Sequence, residues 1–213
     1  LFGVRNFGFG NVATVFIYGA LSLGSFVLTV YLQQTVGYSA TLAGAAFLPV
    51  TISNIALSTW VGSLSGRFGP RLFMTAGPLL AGVGFLLTLG LAEGANYVTE
   101  VLPGILVFGL GLTLTVAPLT SAILGSISER QAGIGSAINN ALARIAGLVA
   151  IALVGVIVGT LDGEGYQRGI VVTAVLLFVG AIVSFAGIRN PEQLTNLIAF
   201  LRANTNPLPP AAP

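Results

Sequence analysis

Long apolar stretches separated by short polar clusters set the pattern of this chain. Runs without any charged residue cover 6–66, 72–92, 101–128, 145–161 and 169–188. A helix that crosses a membrane needs about 20 mostly apolar residues, and several of these runs reach that length. They are too long for strands and lack the strict alternation of a membrane barrel. The pattern therefore predicts membrane-spanning helices.

Six such helices are predicted. They run over about 6–34, 40–64, 72–92, 99–127, 131–160 and 169–188. Ser39 precedes the second helix, where its side chain can accept a hydrogen bond from the first turn, and 162–168 is predicted to be a loop. The fold class is thus an all-α membrane protein with six transmembrane helices within residues 1–188.

Proline and glycine inside two of these helices indicate bends. Pro49 lies in the second helix and Pro118 in the fourth, and a proline inside a helix removes a hydrogen bond and kinks the axis. Gly111 lies in the same helix as Pro118, among other small residues. These positions are hinge candidates, although small residues in a membrane helix also serve tight packing alone.

The last 25 residues have a different pattern. Leu194, Leu197, Ile198 and Leu201 recur at helical spacing within a polar segment. This predicts a short amphipathic helix at about 191–203 on the membrane surface, with a frayed tail as the alternative. The Pro-rich end beyond it is predicted to be disordered.

Composition supports a bilayer and excludes several chemistries. Charged residues make up 7% of the chain and mean hydropathy is +0.97, whereas soluble domains carry about 25% charged residues. The chain has no Cys and no His, and all its basic residues are Arg. Thiol, histidine acid–base, zinc-finger and Walker A chemistry are therefore excluded. We expect no enzyme, no cofactor, no metal site and no nucleic-acid partner.

The charges separate when the loops are assigned alternately to two sides. One side holds Arg5, Arg67, Arg71, Arg130, Arg189 and Arg202 with Glu129 and Glu192, and the other holds Glu93, Glu100, Asp162, Glu164 and Arg168. Because basic residues favour the cytoplasmic side, both termini are predicted to be cytoplasmic. Tyr31, Tyr38, Tyr97 and Tyr166 fall at the other interface, as aromatic belts do. The Arg-only composition, rich in Ala, Gly, Leu and Val, indicates a GC-rich bacterial genome, so the expected location is the bacterial inner membrane.

Arg144 is the one charge within a long apolar helix. A charge at the bilayer centre costs about 2.5–3.5 kcal/mol and must face protein or water. Asn140 lies one helical turn before it. Arg144 could line a cavity and contact a ligand or a carboxylate, or it could be a structural residue bound to helix carbonyls.

The loop between the second and third helices carries a recognisable motif. Gly62, Leu64, Arg67, Gly69 and Arg71 match the motif A loop of the major facilitator superfamily, and Gly66 replaces the family's Asp. The chain resembles the C-terminal half of this family, where the motif is weaker. It also resembles the fourteen-helix drug/proton antiporter branch at 31–34, 69–71, 77–80, 112–120 and 139–144.

The resemblance implies a function. The chain would be the C-terminal six-helix half of a major-facilitator bundle, exporting amphipathic drug-like molecules by alternating access together with a missing N-terminal half. Cavity candidates are Arg144, Asn140, Tyr18, Asn54 and Asn11, although such polar groups often bond a neighbouring helix. The motif A-like loop would gate the transporter, or would be only a basic cytoplasmic loop. The bilayer and a small substrate are the other expected partners.

The acidic residues limit where protons can bind. All six lie in loops or at helix ends, whereas a proton-coupled carrier needs a titratable group within the membrane. Protons are therefore expected to act through the missing half. The chain begins with Leu1 rather than Met, which favours a piece of a longer protein. A truncated, non-transporting membrane module or assembly partner is the alternative.

Overall fold

The computed structural model describes residues 1–160 and 162–190, and this part of the chain contains helices and turns but no strand. In chain order the helices are α1 (Arg5–Gln34), α2 (Ala40–Ala45), α3 (Leu48–Phe68), α4 (Pro70–Leu86), α5 (Leu102–Leu124), α6 (Glu129–Ala152), α7 (Val154–Val158) and α8 (Gly163–Gly187). A π-helical turn, Tyr97–Val101, leads into α5. The predicted amphipathic segment at 191–203 and the Pro-rich end lie outside the described residues.

Five helical segments in the described part are long and apolar enough to cross a membrane. They are Arg5–Gln34, Ala40–Phe68, Tyr97–Leu124, Glu129–Ala152 and Gly163–Gly187, and α4 is a shorter apolar helix of 17 residues. These six segments follow the predicted order, which confirms the all-α membrane fold. The third helix is shorter than predicted, because α4 ends at Leu86 and turns follow. Tyr166 donates to the carbonyl of Thr88 at 2.9 Å, which satisfies that group outside a helix.

The second predicted helix is broken near Pro49. α2 ends at Ala45, and α3 begins at Leu48 with the proline in its first turn. Proline has no N–H to donate back to the preceding turn, so the break lies just before it. Ser39 caps α2 as predicted, its hydroxyl accepting from the N–H of Leu42 at 3.2 Å.

Two predicted boundaries near the fifth and sixth helices are wrong. The sequence predicts one helix over 131–160, but the regular helix is interrupted at Leu153 (φ −85°, ψ −4°), which separates α6 from α7. Most of the predicted loop 162–168 is the start of α8. Asp162 caps this helix by accepting from the N–H of Gly165 at 2.8 Å. That bond, with one from the Thr160 hydroxyl, lowers the pKa of Asp162 below its usual value.

The bundle is organised around α1, which packs against α8, α6 and α5, while α4 packs against α5 and α8. Glycines allow the α4–α5 crossing: a Cβ at Gly104 would lie 2.9 Å from the carbonyl oxygen of Gly84. The main core lies between these helices, with side chains such as Leu23, Phe85 and Ile170 fully buried. By contrast, α3 and α6 keep most of their apolar side chains exposed.

One end of the bundle is held by tyrosines. Tyr31 and Tyr166 stack with ring centroids 3.8 Å apart, and Tyr31 donates to the carbonyl of Leu91 at 3.0 Å. Tyr38 donates to the carbonyl of Ala95 at 3.0 Å. Partial burial, followed by the nearby charge of Glu100, raises the pKa of Tyr38. The tyrosines predicted at one interface therefore share one end of the molecule.

Arginines hold the opposite end. Arg5 donates to the carbonyls of Gly187 and Ala186 at 2.9 and 2.8 Å. Asn6 and Arg189 exchange two hydrogen bonds, the amide of Asn6 donating to the Arg189 carbonyl at 2.8 Å and accepting from its N–H at 2.9 Å. Cations stabilise the negative end of a helix dipole, so these contacts cap the C-terminus of α8. Arginines therefore gather at this end of the bundle, whereas Glu93, Glu100 and Asp162 lie at the tyrosine-bearing end.

Candidate functional site

An open cavity lies between α1 and α6. Its volume is about 490 Å³, and it is lined by Tyr18, Ser22, Asn140, Ala143, Arg144, Gly147, Leu148 and Ile151. Three of the predicted cavity residues, Arg144, Asn140 and Tyr18, thus meet at one place. We call this space the α1–α6 cavity.

Helical spacing explains why these residues share a wall. The α6 residues of the cavity are three or four positions apart from 140 to 151, so they lie on one face of that helix. Tyr18 and Ser22 are likewise one turn apart on α1. Gly147 lets the helices approach closely, because a Cβ there would lie 2.6 Å from the hydroxyl oxygen of Ser22. The sequence pattern did not single out Ser22 and Gly147 as cavity residues, since their place depends on which helices pack together.

A buried polar seam fixes α6 against α1 beside the cavity. The amide of Asn139 donates to the Oδ1 of Asn11 at 3.2 Å and to the hydroxyl of Thr14 at 2.8 Å. Asn11 in turn donates to the carbonyl of Phe7 at 2.8 Å. Asn11 and Thr14 are buried. Because hydrogen bonds between membrane helices stabilise a particular pairing, this seam sets which face of α6 is turned to the cavity.

The guanidinium of Arg144 has no partner among the described residues. Within residues 1–160 and 162–190 it makes no hydrogen bond and no ion pair, and the ion pair found in this part joins Arg168 to Glu164. The expected alternative of a structural arginine bound to helix carbonyls is therefore not what the described residues show. Asn140 uses its amide N–H to reach the carbonyl of Ser136 at 3.1 Å. The hydroxyl of Tyr18 has no partner among the described residues.

The other two cavity candidates lie elsewhere. Asn11 is 1% exposed and belongs to the seam rather than to the cavity wall. Asn54 lies on α3, half-buried, and donates to the carbonyl of Val50 one turn earlier at 3.2 Å. The structure thus does not bring these two side chains together with Arg144.

The motif A-like loop is fastened to the end of α8. Arg71 donates from Nε to the carbonyl of Phe185 at 2.8 Å, and its guanidinium lies 4.4 Å from the centre of the Phe185 ring. The side chain of Asn190 accepts from the N–H of Arg71 at 3.1 Å. Gly69 has a positive φ of 86°, which favours glycine. Asn190 was missed from the sequence because nothing local marks a residue 119 positions away as a cap.

The remaining motif residues, Gly62, Leu64 and Arg67, are half-buried or exposed. Arg67 is exposed in the last turn of α3, and Leu64 is half-buried. A Cβ at Gly62 or Gly66 would meet no atom within 4 Å, so this pair does not provide close packing within the described chain. Both glycines line a second cavity of about 400 Å³ near the arginine-bearing end.

The hinge candidates occupy different settings. Pro49 lies beside the α2–α3 break, and Pro118 is buried within α5. A Cβ at Gly111 would lie 2.6 Å from the carbonyl oxygen of Gly77. Gly111 therefore provides backbone packing between α4 and α5, and movement at these three positions stays a prediction.

No acidic side chain of the described residues lines the α1–α6 cavity. Among the described residues the acidic side chains, Glu93, Glu100, Glu129, Asp162 and Glu164, are all exposed. No group of three or more acidic side chains in this part could hold a metal ion. The α1–α6 cavity combines the guanidinium of Arg144, which has no partner among the described residues, with hydroxyl and amide groups and the exposed apolar side chains of Leu148 and Ile151. This set of groups suits reversible binding rather than covalent chemistry.

The described residues form a helical bundle with apolar outer faces and five segments long enough to cross a bilayer, which indicates a multi-pass membrane protein. The family model described as Major Facilitator Superfamily matches residues 11–210. The chain belongs to this superfamily, and it is a transporter-family protein rather than an enzyme.

Drug-resistance proteins are among its relatives. The chain is 32% identical over 71% of its length to the lincomycin resistance protein of Streptomyces lincolnensis, and 29% identical over 68% to the multidrug resistance protein Stp of Mycobacterium tuberculosis. It is 30% identical over 59% of its length to the puromycin resistance protein pur8 of Streptomyces alboniger. The matched region spans only 31%, 26% and 26% of the lengths of these relatives, respectively. This agrees with the resemblance to a multidrug-exporter branch.

Proposed function

We propose that this chain is the C-terminal half of a drug exporter that moves amphipathic small molecules by alternating access. The observation that carries the proposal is the α1–α6 cavity, whose polar residues face an open side of the bundle. The names of the drug-resistance relatives support the substrate class. In this proposal a second set of helices covers the exposed faces of α3 and α6 and closes the cavity.

The bundle would lie in a bacterial inner membrane with its arginine-bearing end in the cytoplasm. The contacts of Arg5 and Arg71 with α8 support this placement, because they gather the basic residues at one end. Basic residues are enriched on the cytoplasmic side of membrane proteins. Both termini would then be cytoplasmic, and the tyrosine-bearing end would face outward.

Export would be driven by protons that bind outside this chain. The described carboxylates are exposed at helix ends, and a coupling group must titrate within the membrane or in a cavity. The other half would therefore supply the proton-binding carboxylates. The motif A-like loop, tied to α8 through Arg71 and Asn190, would act as a latch at the cytoplasmic end.

Transport in liposomes tests this function. The complete gene product that contains this chain is expected to export a lipophilic dye only while a proton gradient is imposed, and to raise the lincomycin or puromycin resistance of a sensitive host. Residues 1–213 alone, matched for amount in the bilayer, should show no gradient-driven transport. Gradient-driven transport by residues 1–213 alone would contradict the proposal that protons bind outside this chain. Absence of transport by the complete product would favour a non-transporting module.

A further inference from the structure

The position of Arg144 in the α1–α6 cavity bears on which molecules the cavity can bind. Its guanidinium lies on the wall of the α1–α6 cavity with no hydrogen bond or ion pair to the described residues. The carboxylates of that part of the chain are exposed in turns or at helix ends, and none of them forms an ion pair with Arg144. A charge placed within a membrane helix is costly unless it is paired or solvated. A ligand that supplies an anion would remove that cost.

The groups beside Arg144 include hydroxyls that can donate hydrogen bonds to an anion. Tyr18 and Ser22 present hydroxyls without a partner among the described residues. The side-chain amide of Asn140 donates a hydrogen bond to the carbonyl of Ser136. Arginine presents a planar fork of N–H groups that matches a carboxylate with two parallel bonds. The cavity is therefore complementary to an oxygen anion, and a cationic group placed here would be repelled.

The rest of the cavity favours an apolar body next to that anion. Leu148 and Ile151 continue the same face of α6 beyond Arg144, and Leu148 is 69% exposed. Ala143 and Gly147, which also line the cavity, have small side chains and so leave space above this part of α6. The volume of about 490 Å³ lies within the roughly 300–1,000 Å³ of small-molecule sites. A ligand with one anionic end and one flat apolar part fits this arrangement.

We propose that Arg144 is an anion-binding residue of the substrate site, pairing with the carboxylate of an amphipathic aromatic substrate whose apolar part lies over Leu148 and Ile151. This inference rests on the proposed function as a drug exporter. It adds a substrate class, namely organic anions and zwitterions. A carboxylate from another helix of the complete protein is the competing partner for Arg144, and the experiment below separates the two.

Rhodamine B and its ethyl ester provide a matched pair of probes, because they differ only in a free carboxylate. Their binding to the purified complete protein is measured by fluorescence anisotropy for the wild type, Arg144→Gln and Arg144→Lys. Arg130→Gln serves as the matched control, since Arg130 is exposed on the same helix and outside the cavity. The wild type is expected to bind rhodamine B more tightly than the ester.

In Arg144→Gln the affinity for rhodamine B should fall by about tenfold or more, as expected for loss of a charge-assisted hydrogen bond. Affinity for the ester should change by less than about threefold, which also shows that the variant is folded. Arg144→Lys should recover part of the loss, and Arg130→Gln should leave both affinities unchanged. If Arg144→Gln is not monodisperse, Tyr18→Phe is used, and it should weaken rhodamine B alone.

Four results would overturn the inference. Equal weakening of both dyes by Arg144→Gln, or no weakening of either, would show that Arg144 does not read the carboxylate. A large gain in ester affinity with rhodamine B unchanged would indicate a protein carboxylate left unpaired. A wild-type protein that binds neither dye would contradict the proposed function and the anion site together, whereas the other three results leave drug binding intact.

Discussion

At the scale of single residues, adjacent side chains of α6 have opposite roles. Asn139 is turned into the bundle and bonds Asn11 and Thr14, whereas Asn140 is exposed on the cavity wall and bonds only its own helix. The difference follows from helical geometry, because neighbouring residues point about 100° apart around the axis. The two asparagines thus form a natural pair for separating stability from binding.

Replacing Asn139 should reduce stability more than replacing Asn140. Asn139→Ala leaves two buried oxygen atoms, on Asn11 and Thr14, without their bond to α6, at a cost of about 0.6–1.5 kcal/mol. Asn140→Ala removes a bond within one helix next to open space and should cost less. Thermal unfolding of the two variants in detergent measures the difference. A lower midpoint for Asn140→Ala would contradict the seam.

At the scale of helices, the α4–α5 crossing depends on glycine. A Cβ at Gly111 would meet the backbone of Gly77 and Ala81, whereas a Cβ at Gly62 meets nothing within 4 Å. Close approach of helix backbones is how small residues stabilise membrane bundles. The two glycines therefore predict opposite responses to the same substitution.

Gly111→Ala is expected to destabilise the protein by about 1–3 kcal/mol through overpacking. Gly62→Ala should be neutral or stabilising by up to about 1 kcal/mol, because alanine favours the helix over glycine. Comparison of unfolding midpoints for the two purified variants provides the measurement. Similar stability for both would show that α4 and α5 do not approach as closely as described.

Much of this helical arrangement could be predicted from the sequence. The apolar runs gave the helices and their order, and i, i+4 spacing placed Asn140 and Arg144 on one face. The break at Leu153 could not be predicted, since that residue is neither Pro nor Gly. The polar residues Glu164 and Arg168 predict a loop at the start of α8, whereas Asp162 is a helix cap there. The partners of Arg71 and Asn139 depend on tertiary packing, which local patterns do not specify.

At the scale of the whole molecule, the two ends of the bundle carry different chemistry. Arginines cap α8 at one end, and tyrosines bond the turn after α4 at the other. This separation is the structural basis for the proposed orientation. Charge on the loops, rather than the apolar helices, would decide which end stays in the cytoplasm.

Labelling of single cysteines tests that orientation, and the chain has no cysteine of its own. Glu93→Cys and Ser128→Cys replace exposed residues at opposite ends. In intact cells a membrane-impermeant maleimide should label the cysteine at 93 and should reach that at 128 only after the membrane is opened. The reverse pattern would place the arginine-bearing end outside the cell.

Protection of Ser22→Cys by a transported dye tests the central claim most directly, namely that substrate occupies the α1–α6 cavity. Ser22 lines that cavity, and cysteine is close to it in size. In the complete protein, a saturating dye should slow maleimide labelling at position 22 severalfold and leave labelling at 128 unchanged. Equal labelling at position 22 with and without a dye that the protein demonstrably transports would contradict the account.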